Sequence, residues 1–269
     1  METTIIIVSY KSRSILLENL NNFDHKYKII IIENSKDENL KIELEQKYQN
    51  IKVILNENKG FGHGANKGAQ LAKTKYIFFC SPDNFIKKDT VKNLEDISKK
   101  LKDEFGMLIL TDEKNKVTKI CKVKEKCGIS SFYIKRDIFL NMKGFDEKIF
   151  LYYEDVDFVY RLMKSNNLIF KVPITFKNVH GSHEPKHNVE IEVNRNWHYM
   201  WSKFYFKRKH YNYFYAILSI LPYFIRSIIK IIIFLKNPKE KEIYMARASG
   251  IFNSCILKES WYRPKINRK

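Results

Sequence analysis

Cysteine is scarce, with four residues, Cys80, Cys121, Cys127 and Cys255, in a chain of 269. None form a C-x-x-C pair and no His/Cys spacing matches a zinc site. That usage points to a reducing, cytoplasmic compartment. Acid is also in short supply: 30 Asp and Glu stand against 49 Lys and Arg, a net charge of +19 and a pI near 9.6. Such an excess favours polyanionic partners such as nucleic acid, anionic lipid or phosphorylated ligands. Part of it is background in an Ile/Asn/Lys-rich composition. Residues 1–10 lack both a basic n-region and a long apolar h-region, and so do not read as a signal peptide. The most apolar stretch, 211–235, is interrupted by Pro222, Arg226 and Lys230. A spanning helix needs ~20 mostly apolar residues, so the stretch reads as one or two amphipathic helices lying in a bilayer interface.

The glycine-rich segment 58–68 lacks the G-x-x-x-x-G-K-[ST] spacing, and Ala65 stands where G-x-G-x-x-G requires its third glycine. Neither a P-loop nor a dinucleotide fingerprint is supported. What is present is a hydrophobic content of 44 %, enough for a sizeable core. The length suits one large α/β domain, or one domain with an appendage.

β-Branched and aromatic runs at 3–9, 27–32, 51–55 and 76–80 alternate with helical segments near 12–21, 37–48 and 65–73. This alternation predicts a parallel, doubly wound sheet. Residues 90–101 predict a helix and 105–110 a strand. A polar, basic loop follows over 111–126, then a strand over 127–134 and a short helix over 136–142. A further strand over 168–172 is expected to end at Pro173.

Three strand ends carry polar residues: Ser9-Tyr10, Glu33-Asn34-Ser35 and Ser81-Pro82-Asp83-Asn84. In a parallel sheet these ends share one edge, where ligands bind. An aromatic ring, a carboxylate acceptor and a metal-competent carboxylate converging there suit a nucleotide carrying a diphosphate. Further on, Glu154, Asp155 and Asp157 fall within four residues amid aromatics. Asp157 and Arg161 are i,i+4 partners, which leaves Glu154 or Asp155 as a general base. Three histidines, His180, His183 and His187, lie within eight residues beside Gly181, a pattern that can include a metal or phosphate ligand.

In this order the motifs resemble the family 2 inverting glycosyltransferases of GT-A fold, especially the bacterial rhamnosyltransferase-like branch. They are Val8-Ser9-Tyr10, Glu33-Asn34-Ser35, Asn58-x-Gly60-Phe61-Gly62 through Asn66-x-Gly68, Ser81-Pro82-Asp83, Gly144-Phe145-Asp146-Glu147 with Glu154-Asp155-Val156-Asp157 and Arg161, and His180 with Ser182. The resemblance covers roughly residues 3–209. It implies a Rossmann-like, mostly parallel sheet flanked by helices over 1–205; beyond it, the apolar and basic composition itself predicts a helical, membrane-associating region over 206–269. It implies nucleotide contacts from Ser9, Tyr10, Glu33, Asn34, Asn58, Gly60 and Asn66, although the family more often has Asp where Glu33 stands. Asp83 matches the metal-binding Asp of the DXD-type motif, with Ser81 in place of the first Asp, and His180 matches the later histidine near metal and diphosphate. Asp155 matches the catalytic base, with Glu154 beside it.

The implied cofactor is Mg²⁺ or Mn²⁺, and the implied partners are a dTDP-, UDP- or GDP-linked sugar, a glycan or lipid-linked glycan acceptor and a membrane surface. The implied location is the inner face of the cell membrane. Two competing readings remain: a basic nucleic-acid-binding protein, for which no motif is present, and a sugar nucleotidyltransferase.

Overall fold

A computed structural model of the chain describes residues 2–179 and 189–260. The elements run β1 (Thr3–Ser9), α1 (Arg13–Leu20), β2 (Lys28–Glu33), α2 (Glu38–Lys47), β3 (Ile51–Leu55), α3 (Phe61–Leu71), β4 (Tyr76–Cys80), β5 (Asn84–Phe85), α4 (Thr90–Lys100), β6 (Met107–Asp112), β7 (Cys121–Lys122), β8 (Phe132–Lys135), α5 (Arg136–Asn141), α6 (Glu154–Lys164), β9 (Ile169–Asn178), α7 (Val189–His210), α8 (Tyr213–Ile233) and α9 (Pro238–Cys255). The chain divides into two compact units. One holds residues 2–146 with 155–179; the other holds 147–154 with 189–260. Position 205, where the sequence suggests a boundary, lies inside the unbroken helix α7.

The first unit is a mixed, mostly parallel sheet of order β3-β2-β1-β4-β8-β6-β9-β5, with β7 on the outer side of β9. β1, β2, β3 and β4 are mutually parallel, as their βα alternation predicts. β8 is inserted antiparallel to both β4 and β6, so the sheet is not wholly parallel. The middles of the buried strands are apolar on both faces: Ile5, Ile7, Ile29, Ile31, Phe78 and Tyr133 pack on one, and Ile6, Ile32, Ile77, Phe79, Phe132 and Ile134 on the other. This two-sided burial explains why these strands read as continuous apolar runs rather than alternating ones.

Two sequence expectations change here. Helix α3 begins at Phe61, not Ala65, because Gly64 and Gly68 are helical positions facing β1. A Cβ on Gly68 would stand 2.6 Å from Ile6 Cγ2, and one on Gly64 2.9 Å from Val8 Cγ1. These glycines therefore serve close helix–sheet packing, while Gly60, at φ 96°, makes the turn into the helix. Strand β9 also runs through Pro173 to Asn178. The register against β6 shifts between Ile109 and Thr111, so Pro173 sits at a bulge where no ladder N–H is required.

The second unit is helical, and its core gathers Ile149, Val193, Trp197, Trp201, Tyr205 and Ala246. Met200, Phe204, Ala216, Ile220 and Ile251 form an adjoining cluster between α7, α8 and α9. Gly250 lets α9 approach α7 closely, since a Cβ there would stand 2.4 Å from the Trp197 carbonyl oxygen.

Candidate functional site

The strand order 3-2-1-4 reverses direction at β1, so the carboxyl ends of β1 and β4 flank a topological switch point. A crevice opens there in open α/β sheets. Ser9 pairs with Glu33 across β1 and β2, and the ladder continues past both strands. Asn34 N–H donates to the Ser9 carbonyl at 2.8 Å, Asn56 N–H to the Glu33 carbonyl at 2.9 Å, and Lys11 N–H to the Ser35 hydroxyl at 2.8 Å. The ends of β1, β2 and β3 are thereby knitted into one rim.

The predicted nucleotide residues divide on this rim. Tyr10 is 39 % exposed and offers a ring face, with Lys11 Nζ 5.5 Å from its centroid. Ser9 is fully buried and its hydroxyl pairs with that of Ser12 at 3.0 Å, so its side chain shapes the turn. Glu33 is buried, and its Oε1 accepts from the Ser35 N–H at 2.7 Å and from the Ser35 hydroxyl. Asn58 accepts the Gly60 N–H at 3.3 Å and steadies the turn into α3.

Asn66 turns to the protein's own backbone. Its Nδ2 donates to the Phe145 carbonyl at 2.9 Å and its Oδ1 accepts the Phe145 N–H at 2.8 Å. The amide clamps the 142–145 loop. Gly144, at φ 58°, permits this clamp, because a Cβ there would stand 2.2 Å from Asn66 Oδ1. Arg161 holds the same loop through the carbonyls of Met142 and Gly144, both at 2.6 Å, and pairs with buried Asp157 at 2.7 Å.

Asn56, absent from the sequence-based set, is the hub of the β3 end. Its Nδ2 donates to Asn34 Oδ1 at 2.9 Å and lies 3.4 Å from His63 Nδ1, while its Oδ1 accepts from Lys67 Nζ at 3.0 Å. The signal was available: Asn56 follows β3 as Asn34 follows β2.

At the β4 end, the Ser81 hydroxyl donates to Asp83 Oδ1 at 2.5 Å. The turn is fixed from below by Asn19, whose Nδ2 donates to the Pro82 and Asn84 carbonyls at 3.0 and 2.9 Å. Asn84, fully buried, donates from Nδ2 to the Ser131 hydroxyl at 2.8 Å and accepts at Oδ1 from Asn178 at 2.6 Å. Two residues before Ser131, the Ile129 N–H donates to Asp155 Oδ2 at 2.8 Å. The segment 129–131 is therefore tied at one end to Asp155 and at the other to the residue after Asp83.

Burial raises the Asp155 carboxyl above its ordinary value, while the N–H groups of Ile129 and Val156 pull it down. Asp155 Oδ1 accepts the Val156 N–H at 2.8 Å. Gly128 lies against the same carboxylate, and a Cβ there would stand 3.1 Å from Oδ2. Glu154, buried at the start of α6, falls in the 147–154 segment of the helical unit, whereas Asp155 falls in the sheet unit. Before them, Tyr152 and Tyr153 adopt φ 66° and 71°, a left-handed conformation that costs about 1–2 kcal/mol per residue. Their rings pack against Tyr199 within the helical unit.

Among the described residues no group of three or more His, Cys, Asp or Glu is placed to hold a metal ion. A lone hard-oxygen carboxylate at Asp83 fits a Mg²⁺ or Mn²⁺ ion that takes its other ligands from phosphate and water. His180 lies outside the described residues.

The family model for glycosyl transferase family 2 matches residues 4–156. Rhamnosyltransferase WbbL of Escherichia coli K12 is 29 % identical over 247 residues, covering 76 % of this chain and 92 % of that one. Among solved structures, the mannosyltransferase PcManGT of Pyrobaculum calidifontis, in complex with GDP-Man and Mn²⁺, aligns over 94 % of this chain and 86 % of that one with TM-score 0.59 at 10 % identity. S. aureus TarS 1-349, in complex with UDP-GlcNAc, aligns over 98 % and 93 % with TM-score 0.53 at 14 % identity. These likenesses identify the fold as GT-A. A family match over more than half its length makes this chain a member of glycosyl transferase family 2.

Proposed function

We propose that this transferase moves a hexose, rhamnose or a close relative, from a nucleoside-diphosphate donor to a hydroxyl of a growing glycan, with inversion at the anomeric carbon. The reading is supported most directly by the shared anchoring of Asp155 and the Asp83 turn on segment 129–131. Tyr10 stacks on the base of a dTDP-, UDP- or GDP-linked donor, and the β2 and β3 ends line the nucleoside side of the crevice. Asp155 accepts the acceptor hydroxyl proton as its oxygen attacks the anomeric carbon, and the bond to the diphosphate oxygen breaks on the opposite side. The Ile129 N–H fixes the direction of that carboxylate, and burial keeps it a stronger base than a solvated Asp. Asp83 would hold Mg²⁺ or Mn²⁺, which neutralises charge on the departing diphosphate. No Ser or Cys nucleophile enters a single displacement. The rhamnosyltransferase relative supports rhamnose as donor sugar.

With donor and acceptor supplied, Asp155→Asn is expected to lose about 10²–10⁴-fold in turnover while donor affinity stays near wild type. Near-wild-type turnover would remove Asp155 from its role. Excess EDTA is expected to abolish turnover, and Mn²⁺ in excess of the chelator to restore it; full activity in EDTA would remove the metal from Asp83. Release of pyrophosphate instead of nucleoside diphosphate would select a nucleotidyltransferase.

A further inference from the structure

Helix α8 packs on α7 and α9 through Ala216, Ile220 and Ser227. At 100° per residue these three lie on one side, and the opposite side carries Phe214, Leu218, Leu221, Ile225, Ile228, Ile229 and Ile232. Phe214 is 80 % exposed, Leu218 70 %, Ile225 50 % and Ile232 62 %. From Phe214 to Ile232 this stripe is about 27 Å long and holds no polar residue. A soluble monomer rarely leaves so much contiguous apolar surface to water.

Charge and aromatic rings border the stripe. Arg226 projects from its flank on α8, while Lys230 lies further round toward the packed side. On α7, Lys203 Nζ lies 3.5 Å from the centroid of Tyr223, and Lys207 Nζ 5.2 Å from that of Tyr215. Arg247 on α9 donates to Asn196 Oδ1 at 3.0 Å, and its guanidinium carbon is 5.9 Å from the ring of Tyr244. Four of these cations share one surface: the hydrogen bond and charge of Lys203, then the charges of Lys207 and Arg247, lower the Tyr223 hydroxyl, and Arg226 adds to the burial that lowers Arg247. An apolar stripe with Tyr rings, Lys and Arg on the same helical unit matches an anionic bilayer surface, with acyl chains under the stripe and phosphates at the cations. A second copy of the chain would bring the same +19 against itself.

We propose that α8 is an in-plane membrane anchor: its Phe214–Ile232 stripe enters the acyl boundary of an anionic bilayer while Lys203, Lys207, Arg226 and Arg247 meet the lipid phosphates. The helix is long and apolar enough to cross a bilayer by length and composition. Yet its packing on α7 and α9 leaves one face for lipid, and Arg226 sits beyond mid-length on its flank, so it lies along the surface. The inference goes beyond the transferase chemistry and does not depend on which acceptor is used.

The test is sedimentation of the full chain with vesicles of pure phosphatidylcholine and of phosphatidylcholine with 30–40 % phosphatidylglycerol. Binding to the anionic vesicles is expected, weakening as salt rises. The double variant Leu218→Glu/Ile225→Glu is expected to lose more than about tenfold in partition, and Arg226→Glu roughly fivefold. Donor hydrolysis in solution, measured on the same variants, is expected to be unchanged and reports on the active site separately. Alkaline carbonate is expected to release the wild-type protein from vesicles. Retention in carbonate would overturn the in-plane assignment in favour of a spanning helix. Equal sedimentation of the double variant, or a dimer in vesicle-free solution that the double variant dissociates, would overturn the anchor.

Discussion

At the scale of single residues, position matters less than what each polar atom is already bound to. Asp155 and Asp157 are two residues apart on α6 and chemically identical, yet Asp157 pairs with Arg161 while Asp155 accepts the backbone N–H groups of Ile129 and Val156. The two N–H groups fix the direction of the Asp155 carboxylate and pull its proton affinity down, but burial outweighs them and leaves it raised. Asn66 makes the same point among the neutral residues. It stands in a glycine-rich run that reads as a ligand loop, but its amide is consumed by the Phe145 backbone. Removing that amide strands a buried N–H and C=O, each worth about 1–3 kcal/mol. Asn66→Ala is therefore expected to lower the melting temperature by several degrees while the donor dissociation constant stays within about twofold. A large rise in that constant with unchanged melting would restore Asn66 to the ligand.

At the scale of elements, the strands were legible because burial on both faces writes itself as uninterrupted Ile, Val and Phe. β3 and β4 fall on the residues that the apolar runs mark. What the sequence did not reveal were features decided by distant partners. The antiparallel insertion of β8 and the pairing of β5 with β9 depend on neighbours far along the chain. Pro173 looked like a strand end because the bulge that tolerates it is a property of the β6–β9 pair. The start of α3 was hidden because glycine signals a loop as readily as a close approach, and only the positions of Ile6 and Val8 distinguish the two. Of the candidate site, the acids at strand ends were readable, and Asn56 and Asn84 stood at strand ends where they could have been read, but Asn19 was not, since a lone asparagine inside a helix carries no periodic signal. The packing role of α3 has a direct consequence. Gly68→Val would force the helix away from β1, an overpacking that costs about 1–3 kcal/mol or more. Substituting Gly68 with Val and Ile6 with Ala together is expected to recover part of the loss, measured by urea unfolding; no destabilisation by the single change would mean the helix shifts freely.

At the scale of the whole molecule, the sheet unit separates chemistry from stability along its strands. The carboxyl end of β4 carries Asp83, and its amino end is locked by Asp103. Asp103 accepts from the Tyr76 hydroxyl at 2.5 Å, the Ser98 hydroxyl at 2.6 Å and Lys75 Nζ at 2.6 Å, so one carboxylate joins β4 to α4. The Lys75 side chain, with the Ser98 and Tyr76 hydroxyls, holds the Asp103 carboxyl well below the usual range. A carboxyl depressed in the fold stabilises it at every pH above the unfolded value of about 3.9, and that contribution drains away as pH falls below it toward the folded value. The wider charge balance acts in the same direction, because acid removes up to 30 negative charges from a chain already at +19. Asp103→Asn separates the local effect from the global one. The melting difference between wild type and this variant is expected to be constant from pH 8 to about 5 and to narrow below about pH 4, even as both proteins lose stability to self-repulsion. The hydrogen bonds that an Asn side chain can still make at this position set a floor to that difference, so the measured quantity is its change with pH. A gap that stayed fixed down to pH 2 would show that the Asp103 carboxyl titrates alike in the folded and unfolded chain, and one that widened would show it raised in the fold; either would mean that the three donors hold the two elements together without favouring its charge.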